Sequence, residues 1–211
     1  MPLTMRFYTA KTQSRHFYEI GLNSLCSEGA VDAVVMLDMH MVTPKKARRT
    51  VMPNEQKIEI EGGCTCGSLR YRLTAPPLFV HCCHCTRCQR ETGSAFAVNA
   101  LIETSAVKLL QGQLRETLVP SASGKGQVIF RCFHCGGAVW SSYGIVRASI
   151  LVIHVGTLDD PTAAPPDIHI FTSTKQPWVI LPNGVPTVSE YYHHSEYWPT
   201  ESIERYKAVR P

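Results

Sequence analysis

Residues 81–88 read HCCHCTRC, with four cysteines and two histidines in eight positions. Two further groups share this character. Cys64 and Cys66 form C-x-C inside GGCTCG, and Cys132 and Cys135 form C-x-x-C inside FRCFHCGG. Thiolates at such spacings are the ligand set of zinc centres, and glycines flank or closely follow each group. The chain has nine cysteines, an odd number that a pure disulfide framework does not favour. Cys26 stands alone and reads as a small buried apolar residue.

A closed zinc site needs four ligands, and a catalytic one uses three plus an exchangeable position. The outlying pairs Cys64/Cys66 and Cys132/Cys135 together supply four. In an extended stretch, side chains alternate between faces. Cys83 and Cys85 then share a face, Cys88 folds back toward them, and Cys82 points away. A second pairing satisfies the same count. Cys64/Cys66 can join Cys85/Cys88, leaving Cys132/Cys135 to recruit Cys82 or a histidine. Spacing leaves both pairings open.

The elements that position these groups are mainly strands. KIEIEGG alternates and turns on paired glycines, and LRYRL alternates up to Pro76-Pro77. VKLLQGQLRETLV and GQVIFRCF read as strands around turn residues. ASILVIHVGTL is a nearly continuous apolar run, expected to be a buried strand. The 14 prolines and 14 glycines punctuate these runs at the intervals of an all-β domain. One short helix is expected in CQRETGSAF, and Trp178 is expected in the core. The zinc-binding domain is placed at residues 56–205. Residues 1–55 read as an irregular N-terminal extension, holding the amphipathic patch GAVDAVVMLDMH and the basic run PKKARR. That run suits a nuclear address, a nucleic-acid contact or a solvated linker. Arg6, Lys11 and Arg15 give the start a weak transit-peptide character, and Met52 is a second candidate start.

Several separate pieces together resemble one family, in the family's order: GGCTCGSLRY, CHCTRCQRETGSAF, FRCFHCGG, VGTLDDP and the Trp178–Pro182 region. Residues from about 60 to 195 resemble the glutathione-dependent formaldehyde-activating enzymes, whose domain is shared with centromere protein V. The resemblance implies a zinc-binding fold of small coiled sheets, the β-tent type. It implies a structural zinc on Cys64, Cys66, Cys132 and Cys135, and a catalytic zinc on Cys83, Cys85 and Cys88, so two Zn²⁺ per chain. The implied activity is that of a carbon–sulfur lyase acting on the glutathione adduct of formaldehyde, or on another thiol and aldehyde. In this family the ligands are cysteines, so His81 and His84 are expected as bystanders or supports.

The chemistry agrees with that implication. Zinc accepts a further thiol readily and stabilises its thiolate. Arg87 and Arg90 flank Cys88 and are placed to offset negative charge or to hold a glutathione carboxylate. Gly93-Ser94 offers amides or a hydroxyl nearby, whereas Asp159 and Asp160 precede a proline and read as turn residues. The formal charge of +4 argues for no nucleic-acid partner, because seven zinc-bound thiolates and two zinc ions bring it to about +1. No apolar run reaches membrane-spanning length and no export signal opens the chain, so a reducing, cytoplasmic location is expected. The rival reading is a zinc-stabilised binding module associated with chromatin or the cytoskeleton.

Overall fold

The computed structural model describes residues 59–121, 124–144 and 149–209. All of them belong to the second of the two units into which the chain divides, Met52–Pro211. The readings of GAVDAVVMLDMH, PKKARR, Cys26 and the alternative start lie outside the described residues.

In chain order the elements are β1 (Ile60–Gly63), β2 (Arg70–Leu73), β3 (Phe79–Cys83), α1 (Thr86–Thr92), β4 (Ala97–Glu103), β5 (Val107–Gln111) and β6 (Leu114–Val119). There follow β7 (Gln127–Cys132), β8 (Ala138–Tyr143), β9 (Ile150–His154), β10 (Ile168–Ile170), α2 (His194–Tyr197) and α3 (Thr200–Val209). The protein is mainly β. A three-stranded sheet has the order β1-β2-β5, and a seven-stranded sheet has the order β10-β3-β4-β9-β8-β7-β6. Within the large sheet β10 pairs with β3 in parallel, and the other named pairs are antiparallel.

Strand alternation decides which face carries what. From β2, Tyr71 and Leu73 turn inward while Arg70 and Arg72 stay half-exposed. They pack with Val80, Ala100, Ile102, Trp140 and Ile153 in one core that unites the two sheets. The Tyr71 ring meets the Trp140 ring edge-on at 5.2 Å. The alternate residues of β3, Phe79 and Cys83, belong to a second core with Ile150, Ile168, Ile170, Tyr192 and Trp198. All five residues of β3 are buried because both faces are covered.

Three sequence expectations shift. The helix begins at Thr86, two residues before Cys88, because Cys85 caps it. The long apolar run yields a strand only over Ile150–His154, and Val155–Thr157 form a 3₁₀ turn. Trp178 is not a core residue: it is 72 % exposed, and neighbouring Ile180 is 91 % exposed. The loop carrying them leaves the sheet after β10 and is closed on itself, with Lys175 Nζ donating to the Gln176 and Val179 carbonyls. The second core takes its aromatic residues from elsewhere, with Tyr192 and Trp198 buried in it.

α3 was not legible as a helix in the sequence. Ile203, Tyr206 and Val209 pack on the second core. Arg205 holds the buried Glu103 with two hydrogen bonds, at 2.8 and 2.7 Å, and also reaches the Pro76 carbonyl at 2.9 Å. Arg205→Ala strands that carboxylate, an expected loss of about 3 kcal/mol. A thermal melt should fall by about 6–12 °C; an unchanged midpoint would show that α3 adds nothing to the core.

Candidate metal centres and cleft

Cys64 and Cys66 lie in the turn between β1 and β2, and Cys132 and Cys135 bracket the turn between β7 and β8. Their four sulfurs lie within 4.8 Å of one another. Cys64 Sγ is 3.3 Å from Cys66 Sγ, and Cys66 Sγ is 3.9 Å from Cys132 Sγ, 66 positions away in sequence. Two sulfurs on one tetrahedral zinc stand about 3.8 Å apart, and none of these cysteines is in a disulfide. Backbone amides support the group. Leu69 N donates to Cys64 Sγ at 3.3 Å, and Gly136 N closes the second turn onto the Cys132 carbonyl at 2.9 Å. Gly136 has φ of 73°, in the left-handed region where a side chain is strained. The Ser68 hydroxyl and amide, with Cys64, hold the Cys66 thiol down to about 6.

The second group is built by a strand end and a helix start. Cys83 closes β3, Cys85 is the N-cap of α1, and Cys88 sits in the first turn. Their sulfurs also lie within 4.8 Å of one another. Cys85 Sγ accepts from Cys88 N at 3.4 Å, and Asn99 Nδ2 donates to Cys88 Sγ at 3.9 Å. Hydrogen bonds from Cys83 and Cys88 hold the Cys85 thiol far below its ordinary value, while the same pairing and burial push Cys83 up. The pairing of Cys64/Cys66 with Cys85/Cys88 is not among the groups that converge. Both groups offer the sulfur donors and the spacing that zinc requires.

A cleft opens beside Cys88. The floor is the face of the large sheet that carries Ala97 and Asn99 of β4, Val152 and His154 of β9, Ser141 and Tyr143 of β8, and Gln127 of β7. The roof is α1, through Arg87, Cys88, Glu91 and Thr92. The part beside Cys88 is narrow, about 30 Å³. Past Ala97 and His154 it adjoins a wider hollow of about 480 Å³ that reaches Arg131, Gly137 and Thr157. Arg87 donates to Gln127 Oε1 at 3.1 Å and to the Pro120 carbonyl, and Gln127 Nε2 donates to Ser141 Oγ at 2.9 Å. Arg131 pairs with Glu91 across the hollow. Burial lowers the pKa of His154, and burial with the neighbouring cysteines raises that of Tyr143. His154, Tyr143, Gln127 and Arg131 carried no sequence signal, because strands distant in the chain bring them together.

The remaining candidates are placed as follows. Arg90 is exposed in the last turn of α1 and is not among the residues lining the cleft. Gly93 ends α1 in the left-handed region at φ of 64°. Asp159 forms an ion pair with Arg70, and Asp160 caps the next turn by accepting from Thr162 N. His81 Nε2 lies 2.6 Å from Tyr192 Oη, which also accepts from Trp198 Nε1 at 2.8 Å, so His81 is tied into the second core. Among the described residues no helix is long and apolar enough to cross a membrane.

These strands and cysteine groups fall inside residues 59–174, the segment that matches the family described as glutathione-dependent formaldehyde-activating enzyme. The chain belongs to that family. A protein of Halomonas elongata named "putative glutathione-dependent formaldehyde-activating enzyme" is 22% identical over 126 residues, which cover 57% of this chain and 79% of that one. A Rhodobacter sphaeroides protein of known crystal structure is 19% identical, with a TM-score of 0.37 over 47% of this chain and 87% of that one.

Proposed function

We propose that the protein is an enzyme that joins glutathione, or a related thiol, to formaldehyde or a similar small aldehyde, and also catalyses the reverse carbon–sulfur cleavage. The observation that carries this reading is the convergence of three cysteine sulfurs, one of which, Cys88, lines the narrow end of a cleft that adjoins a hollow of about 480 Å³. Family membership supports it. In this reading Cys83, Cys85 and Cys88 hold a catalytic zinc, and Cys64, Cys66, Cys132 and Cys135 hold a structural one. A zinc ion bound by Cys83, Cys85 and Cys88 would stabilise a ligating thiol as its thiolate.

The cleft residues do the rest. Arg131 and Arg87 present positive charge to the carboxylates of glutathione, and Glu91 presents negative charge to its ammonium group. Arg90 stands outside the cleft at the end of α1, placed to act on an approaching carboxylate. Neutral His154 takes the proton that the thiol loses on binding and returns it to the alkoxide oxygen once the carbon–sulfur bond has formed. The Tyr143 hydroxyl, kept protonated by its raised pKa, donates to the oxygen that gains charge as the carbonyl opens. Held side by side, thiol and aldehyde react without the entropic cost of meeting.

The test is NMR exchange between formaldehyde and glutathione in the presence of the zinc-loaded protein, compared with buffer. Exchange no faster than buffer would sink the enzymatic reading and leave the binding module. His154→Gln is expected to lower the exchange rate on the order of a hundredfold. The sign with pH is fixed by the lowered pKa. The wild-type base is neutral above its ordinary range near 6.5 and loses activity as pH falls through a value below that. The variant should lack this acid limb. An unchanged limb would remove His154 from the proton path.

A further inference from the structure

We propose that Cys82, His84 and His169 form a separate metal site for a zinc-class transition-metal ion, on the face of β3 opposite Cys83. The parity of the strand creates it. Cys83 turns toward the triad, so Cys82 and His84 turn the other way. The alternation holds through His84 because its amide continues the ladder, donating to the Ile170 carbonyl at 3.0 Å. On the neighbouring strand β10, His169 stands directly across from Cys82. Two residues from one strand and one from the next therefore meet on one face.

The three ligand atoms lie within 4.8 Å of one another, and all three residues are buried. His84 Nε2 is 3.0 Å from His169 Nδ1 and 3.7 Å from Cys82 Sγ. On a tetrahedral zinc the corresponding edges are about 3.3 Å and 3.6 Å. The His84 ring is turned so that Nε2 faces this point, while Nδ1 is buried without a hydrogen-bond partner among the described residues. The polar contacts of the His84 ring are therefore all made through Nε2, toward His169 and Cys82. Phe96 packs edge-on against His84 at 5.4 Å and the His84 and His169 rings stack at 5.3 Å, which fixes both imidazoles in place.

One thiolate and two imidazoles suit zinc and its neighbours rather than calcium or magnesium, which take oxygen ligands. The ion has a structural reason to be there. β10 is a three-residue edge strand, and a metal bridge between His169 and Cys82 staples it to β3. The site is independent of the proposed enzymatic activity, since it shares no ligand with the triad.

The full chain is equilibrated with Zn²⁺, desalted, and measured for zinc per chain and for zinc X-ray absorption. The seven cysteines of the other two groups contribute only sulfur. Imidazole outer-shell scattering therefore reports this site. We expect that signature in the wild type, and its loss together with one zinc per chain in His169→Phe. A wild-type spectrum without imidazole overturns the proposal, as does a folded His169→Phe protein that keeps both the signature and the zinc. If the variant fails to fold, the wild-type spectrum alone decides.

Discussion

Cys85→Ser is expected to reduce glutathione–formaldehyde exchange to the uncatalysed rate while leaving the protein folded. The two halves of that result have different causes. Loss of the Cys85 sulfur leaves two thiols where three converge, and two ligands do not retain zinc against solvent. The helix survives because Cys85 is the N-cap of α1, where its side chain accepts from the Cys88 amide. Serine is among the best N-cap residues and replaces that acceptor with a better one. Exchange followed by NMR reads the first half, and circular dichroism reads the second. A Cys85→Ser protein that still exchanges at the wild-type rate would detach the triad from the chemistry. Cys82→Ser, on the opposite face, should leave exchange near the wild-type rate.

Cys132→Ser is expected to do the reverse, destroying the fold. Cys132 is 1 % exposed and belongs to the core that unites the two sheets. Its group ties the β1–β2 turn to the β7–β8 turn, across 66 positions of chain. A structural zinc contributes about 10–16 kcal/mol of binding free energy to folding, while a whole domain is stable by about 5–15 kcal/mol. Removing one of its four ligands should therefore leave little folded protein at 25 °C. A chelator strong enough to strip this site from the wild type should give the same unfolded spectrum. Retention of the wild-type melting midpoint in Cys132→Ser would mean that the four sulfurs hold no structural ion.

Both predictions begin from residues that were visible in the chain, and the limits of that visibility have physical causes. The cysteine groups, the strand alternation of LRYRL, the strand run VIFRC and the turn glycines are local features, set by chemistry over a few residues. So is the parity that sends Cys82 and Cys83 to opposite faces. Trp178 is exposed although apolar because hydrophobicity is a property of the residue, whereas burial depends on where its loop leaves the sheet. α3 carries little sequence signal because its apolar positions, Ile203, Tyr206 and Val209, are few and gain meaning only against the second core.

The sequence by itself determined that this is a mainly β chain with cysteines grouped at metal-ligand spacings, because ligand type and strand period are written residue by residue. The tertiary structure alone decided which distant groups share a space. It set Cys66 against Cys132, His169 against Cys82, and His154, Tyr143 and Gln127 beside Cys88. These neighbours come from strands whose order in the sheets does not follow their order in the chain. Strand order is set by how two sheets and three short helices jointly bury their apolar faces, a condition no single segment carries.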